Sequence, residues 1–203
     1  MIINFYGNQF VKLQVGDSVL ALDPFKGVKF GADIVLQTTL HENMSSGPDL
    51  FYGNKIPYII KGPGEYEIKG TFVKGYEAYS NYDGIDHNSG TTYYTFEFDG
   101  IKILFLGAIA KSDKKISFDG DIDMVFIPIT GDGRFSPKDA ASFLNDIDCK
   151  AVIPMGFTDV KDKNLQDFIK EIGADGKTEI LDKLTIKKKE LENLDQKLYI
   201  IKS

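Results

Sequence analysis

Met124-Val125-Phe126-Ile127, Ser136-Pro137-Lys138-Asp139 and Ala151-Val152-Ile153 follow one another in a single stretch, and their order decides the class of fold. A short unbroken apolar run reads as a strand buried on both faces. Ser136 carries a side-chain oxygen able to cap a helix start, Pro137 suits the first helical position, and Asp139 falls in the first turn, where the helix dipole favours a carboxylate. These signals predict a helix from residue 137 to about 147. The next apolar run starts at Ala151, so a strand, a helix and a second strand form a right-handed crossover with the two strands parallel in one sheet. Beyond it Leu165, Phe168, Ile169 and Ile172 recur at helical spacing, and Gly173 offers a C-terminal stop.

Toward the N-terminus the pattern changes to strands and turns. Residues 93–98 and 101–106 flank Asp99-Gly100, a pair suited to a tight primed turn, which predicts a hairpin. Val11, Leu13 and Val15 alternate with polar residues, residues 19–22 are apolar and stop at Asp23-Pro24, and Ile34-Val35-Leu36 reads as another buried strand. Strands first and a crossover later indicate a layered α/β fold. Residues 76–92, rich in Tyr, Asp, Asn and Gly, are expected to be the longest irregular segment. No repeat or linker divides the chain, so residues 1–203 are read as one domain. Lys187-Lys188-Lys189 reads as a solvated face.

Composition narrows the function classes. With 203 residues, 42% hydrophobic content, 15 Phe and 10 Tyr, the chain can fill a core. A formal charge of -6, from 24 basic and 30 acidic residues, lacks the electrostatic footprint of a nucleic-acid binder. No apolar run approaches membrane-span length, and Met1-Ile2-Ile3-Asn4-Phe5-Tyr6 lacks the positive start of a secretory signal, so no membrane association and a cytoplasmic location are expected. The lone Cys149, just ahead of Ala151-Val152-Ile153, is expected to be a half-buried thiol.

Six segments in order, Phe5-Tyr6-Gly7, Leu22-Asp23-Pro24-Phe25, Ala32-Asp33-Ile34-Val35-Leu36, Gly62-Pro63-Gly64-Glu65-Tyr66-Glu67-Ile68, Asp99-Gly100-Ile101-Lys102-Ile103-Leu104 and Val152-Ile153-Pro154-Met155, resemble the small bacterial members of the metallo-β-lactamase superfamily related to the ascorbate-phosphate lactonase type. The resemblance covers nearly the whole chain and implies a four-layer αββα sandwich. In that family a Thr-His-x-His-x-Asp-His loop after the Ala-Asp-Ile-Val-Leu strand supplies metal ligands. Here the loop reads Thr38-Thr39-Leu40-His41-Glu42-Asn43-Met44, which keeps His41 but puts Thr39, Asn43 and Met44 where the family has His, Asp and His. The family's later ligand motifs correspond to Ala78-Tyr79-Ser80-Asn81, Phe105-Leu106-Gly107-Ala108 and Ile153-Pro154-Met155-Gly156, placing Ser80, Ala108 and Gly156 at the remaining ligand positions. Asp23 matches an aspartate that buttresses the metal loop without ligating.

A catalytic zinc needs about three neutral imidazole, thiolate or carboxylate ligands and an open position for water. Thr, Asn, Met, Ser, Ala and Gly do not rebuild that set, and the chain's only histidines are His41 and His87. No metal, no other cofactor and no catalytic residue are therefore expected, and Phe105 and Met44 are expected to pack into the vacated volume. A His41 base with Ser45, Ser46 or Ser80 as nucleophile has neither a serine elbow nor an orienting geometry to recommend it. Asp119-Gly120-Asp121-Ile122-Asp123 begins like a calcium loop but has Met124 and Thr130 where the glycine and glutamate belong, and reads as a solvated turn. Arg134, ending Gly131-Asp132-Gly133-Arg134 ahead of a helix, is a candidate anion contact, with a surface arginine beside turn glycines as the plainer reading. The tyrosines of residues 76–94 suit cross-strand packing or an exposed aromatic surface. Three functions stay open: a non-catalytic pseudo-hydrolase that binds a protein partner or self-associates, alongside an active relative; a hydrolase of phosphorylated or lactone-like small molecules with an unconventional site; and a small-ligand binder using the vestigial pocket.

Overall fold

The computed structural model describes residues 1–25, 30–39, 54–82, 90–111, 116–174 and 178–203. In chain order the elements are β1 (Ile2–Phe5), β2 (Val11–Val15), β3 (Ser18–Leu22), β4 (Ile34–Leu36), β5 (Tyr58–Ile60), β6 (Gly64–Ile68), β7 (Thr71–Tyr79), β8 (Gly90–Phe98), β9 (Ile101–Phe105) and β10 (Met124–Pro128). Then come α1 (Pro137–Asn145), β11 (Ala151–Met155), α2 (Lys163–Glu171), β12 (Glu179–Leu181), β13 (Leu184–Thr185), α3 (Lys188–Leu191) and β14 (Lys197–Ile201). The strands form two mixed sheets, one in the order β13-β1-β2-β3-β4-β5 and one in the order β12-β14-β11-β10-β9-β8-β7-β6. One apolar cluster draws on both, with Ile3, Leu13, Leu20 and Leu36 from the first and Phe96, Ile103, Phe126 and Ile153 from the second.

The opening stretch folds as its residues dictate. β10 and β11 are buried at every position and pair in parallel, Phe126 facing Ile153, with α1 as the crossover. Ser136 accepts from the Asp139 N–H while Asp139 reaches back to the Ser136 backbone, a complete capping box behind Pro137. The helix stops two residues before the expected end near 147: Asp146 donates to the Phe143 carbonyl, tightening the last turn and ending α1 at Asn145. Gly173, with φ 64°, ends the turn after α2.

In the N-terminal half, Asp99 and Gly100 take φ of 57° and 72°, as a primed turn requires, and join β8 to β9. The irregular segment expected at 76–92 is smaller than that, because β7 continues to Tyr79 and β8 already begins at Gly90. Cross-strand pairing overrides the polar composition: Tyr76 lies opposite Tyr93, and their rings stack at 5.0 Å. Gly62 and Gly64 adopt φ of 141° and 144°, open essentially to glycine alone, and the Tyr66 hydroxyl donates to the Gly62 carbonyl across the turn. Tyr94 ties the sheets together, its hydroxyl donating to the Gln37 carbonyl and accepting from the Gly62 N–H.

α1 and α2 pack beside one another, and Ala140, Leu144, Leu165 and Phe168 join the main apolar cluster. Among the described residues the outer face of the first sheet is covered by an aromatic cluster, Phe10 packing with Tyr6, Phe25 and Phe30. No described helix is long and apolar enough to cross a membrane.

Candidate functional site

Strand ends deliver the site. Asp23 follows β3 with φ 41°, a left-handed conformation that Asp tolerates better than most residues, and it is fully buried. Its two carboxylate oxygens accept from the Thr38 N–H at 2.7 Å and the Thr38 hydroxyl at 2.5 Å. Burial pushes the Asp23 carboxyl up to about 7, against the pull of those bonds and of the Arg134 charge. Thr38 in turn accepts from the Ala108 N–H at 3.3 Å, and its carbonyl takes the Thr92 N–H and the Thr91 hydroxyl. Both Asp23 oxygens are thus held by Thr38, the residue just before Thr39.

Ser80, Ala108 and Gly156 converge on this end of the molecule. Ser80 is buried, and its hydroxyl accepts from the Tyr82 N–H. Ala108 is fully buried behind Gly107, where a Cβ would stand 2.1 Å from the Thr38 methyl. Gly156 has φ 90°, and a Cβ there would stand 2.3 Å from the Thr130 methyl and 3.7 Å from the Gln9 amide. Thr39 is half-buried at the head of its loop. His41, Asn43 and Met44 lie outside the described residues, as does His87. Phe105 packs into the core edge-on to Phe126; its expected contact with Met44 lies outside the described residues too.

Arg134 departs from the surface arginine expected of a Gly-rich loop. Its side chain is 4% exposed, and Nε and Nη2 both bond to the Asp132 carboxylate. Nη1 donates to Asn8 Oδ1 at 2.6 Å, and with the Gln9 amide oriented to satisfy its neighbours, Nη1 also donates to its oxygen at 2.7 Å while its nitrogen donates to the Gly107 carbonyl. The guanidinium stacks over Tyr82 at 4.7 Å. Partial burial alone would raise the Asp132 carboxyl, but the Arg134 and Thr130 hydrogen bonds outweigh it and hold it below the usual range. Asn8, Gln9 and Tyr82 were not marked by the sequence, and no local pattern would have singled them out.

The donor set decides whether the family's metal fits. Thr39, Ser80, Ala108 and Gly156 offer two hydroxyls, a methyl and nothing, and Gly156 has no room for a side chain while Thr130 stands where it does. No group of three or more His, Cys, Asp or Glu able to hold a metal ion occurs among the described residues. The described part of this centre does not fit a zinc site.

Two mixed sheets with helices make an α/β sandwich of the metallo-β-lactamase type. The profile of the Beta-lactamase superfamily domain matches residues 2–156, and the chain belongs to that superfamily. No curated protein matches the chain. Among solved structures, it is similar to a Thermotoga maritima protein proposed to be a Zn-dependent hydrolase of the metallo-β-lactamase superfamily, at 23% identity and TM-score 0.75, over 99% of this chain and 98% of that one. Igni18, a metallo hydrolase from the archaeon Ignicoccus hospitalis, aligns at 13% identity and TM-score 0.65 over 99% and 94% of the two chains. At these identities the likeness speaks for the fold alone.

Proposed function

We propose that this protein is a non-catalytic member of the superfamily, a pseudo-hydrolase that serves as a binding or scaffold partner, alongside an active relative or in self-association. One observation carries the reading: at four separated strand ends the family's ligand positions hold Thr39, Ser80, Ala108 and Gly156, and at Gly156 the neighbouring Thr130 methyl fills the space a ligand side chain would need. An enzyme that depends on a metal-activated water needs about three protein ligands, and scattered loss at every motif leaves none of them complete.

Metal analysis of purified protein after dialysis tests this. The expected result is no stoichiometric zinc, manganese or iron; one equivalent of any of them retained at this pocket overturns the reading. A second reading, a small-ligand binder or unconventional hydrolase, draws on the cleft of about 190 Å³ bounded by Thr38, Thr39, Lys61, Glu77 and Thr91. Turnover on a panel of phosphodiesters and lactones that disappears in His41→Ala would favour the hydrolase, and a thermal shift with a panel compound would favour the binder.

A further inference from the structure

The segments that carry Ser80, Ala108 and Gly156 all meet the side chain of Arg134 or its immediate partners. Asn81 donates to the Gly133 carbonyl, and a Cβ on Gly133 would stand 2.1 Å from the Asn81 carbonyl oxygen, so the arginine loop lies directly against the residues that follow Ser80. Tyr82, two residues beyond Ser80, supplies the ring under the guanidinium. Gln9 joins Arg134 to the Gly107 carbonyl, next to Ala108, and the same amide lies beside Gly156. Thr130, whose methyl blocks position 156, donates its hydroxyl to Asp132 Oδ1 at 2.6 Å, the carboxylate that holds the arginine fork. Gly107, Gly133 and Gly156 all have positive φ and all lack space for a Cβ, so the backbone closes around this group from three sides.

A planar, always-charged guanidinium with five donors is suited to such a place, because it satisfies several acceptors at once and needs no counter-ion beyond a bidentate carboxylate. Asp23 also feels its charge.

We propose that Arg134 is a resident cation that stands in for the family's metal ion, joining the strand ends at residues 9, 82, 107 and 132 by hydrogen bonds, ring stacking and charge. The proposal rests on the reading of the chain as a member without metal, and adds what has replaced it. It makes Arg134 a positioning residue, a buried guanidinium whose fork faces a part-exposed carboxylate of the same chain.

Chemical rescue tests it. Arg134 is buried whereas the Asp132 side chain is 45% exposed, so Arg134→Ala removes the guanidinium's hydrogen bonds and its stacking on Tyr82 without stranding a buried carboxylate, and should lower Tm by about 5 °C. Guanidinium chloride at about 20 mM, far below denaturing concentrations, should recover a substantial part of that loss in the variant while leaving the wild type unmoved. Sodium chloride at the same ionic strength should recover none. An Arg134→Ala protein as stable as wild type, or one destabilised but indifferent to guanidinium, overturns the proposal, the second outcome assigning Arg134 to packing alone. Should Arg134→Ala not fold, Arg134→Lys against Arg134→Met decides: the lysine variant must be the more stable, and equal stability overturns the proposal. Metal content measured on the same wild-type sample separates the two readings, since bound stoichiometric zinc defeats the parent reading, whereas a metal-free protein with an unresponsive variant defeats this inference only.

Discussion

Asp23 has no exposure, and its nearest donors are both on one residue, Thr38. Desolvation raises its carboxyl from 3.8 to about 7, so across that window the folded chain holds a proton that the unfolded chain has released. Stability therefore falls as pH rises between about 4 and 7, by on the order of 4 kcal/mol if the whole shift is expressed, and levels off above it. Urea denaturation from pH 4 to 8 should show that decline in the wild type and a flat response from this position in Asp23→Asn, which keeps an acceptor but cannot titrate. If the wild type shows no decline, the Thr38 hydrogen bonds hold the carboxylate ionised. At this scale the sequence was half legible. Asp23 could be placed because Asp-Pro after a strand belongs to an ordered set of family segments. Arg134 could not, because its burial depends on Asn8 Oδ1, which is 126 positions away in the chain, and on an amide at Gln9 that no local pattern marks.

α1 shows where local chemistry is a sufficient guide. The Ser136 hydroxyl satisfies a backbone donor that the helix itself cannot, and Asp139 Oδ2 accepts from that same hydroxyl while Oδ1 pairs with Lys111. Ser136→Ala should cost about 1 kcal/mol, read as a shift of the denaturation midpoint with unchanged slope. A cost well above 2 kcal/mol would mean that the capping residue also sets how the Arg134 loop enters the helix, since Gly131 donates to Phe135 immediately upstream. The Asp162 cap of α2, which accepts from the Asn164 N–H, carries the same chemistry and was readable in principle, yet it stands after the mixed run Thr158-Asp159-Val160-Lys161 with no proline to mark the boundary. The irregular segment expected at 76–92 was drawn too long at both ends for the opposite reason. Its composition is that of a loop, and only register with a neighbour, Glu77 facing Thr92 and Ala78 facing Thr91, makes those residues strand.

At the scale of the whole molecule, β14 ties two parts of the second sheet together. β14 lies between β11 and β12 in the second sheet, with Leu198, Ile200 and Ile201 buried, so residues beyond the matched family region complete the core that the region begins. Cys149 sits at this seam: it has no exposure, its carbonyl accepts from the Gln196 N–H at the approach to β14, and burial pushes its thiol up to about 12. A thiol both covered and protonated is inert, because only the thiolate attacks. It is a more deeply buried thiol than its place before an apolar strand suggested. Reaction of Cys149 with an aromatic disulfide at pH 8 should thus proceed only through opening of the structure, at a rate that follows the free energy of global unfolding as urea is raised from zero. Labelling that is fast in native buffer and insensitive to low urea would show instead that β14 detaches from β11 on its own, leaving the crossover strands β10 and β11 to hold the sheet without it.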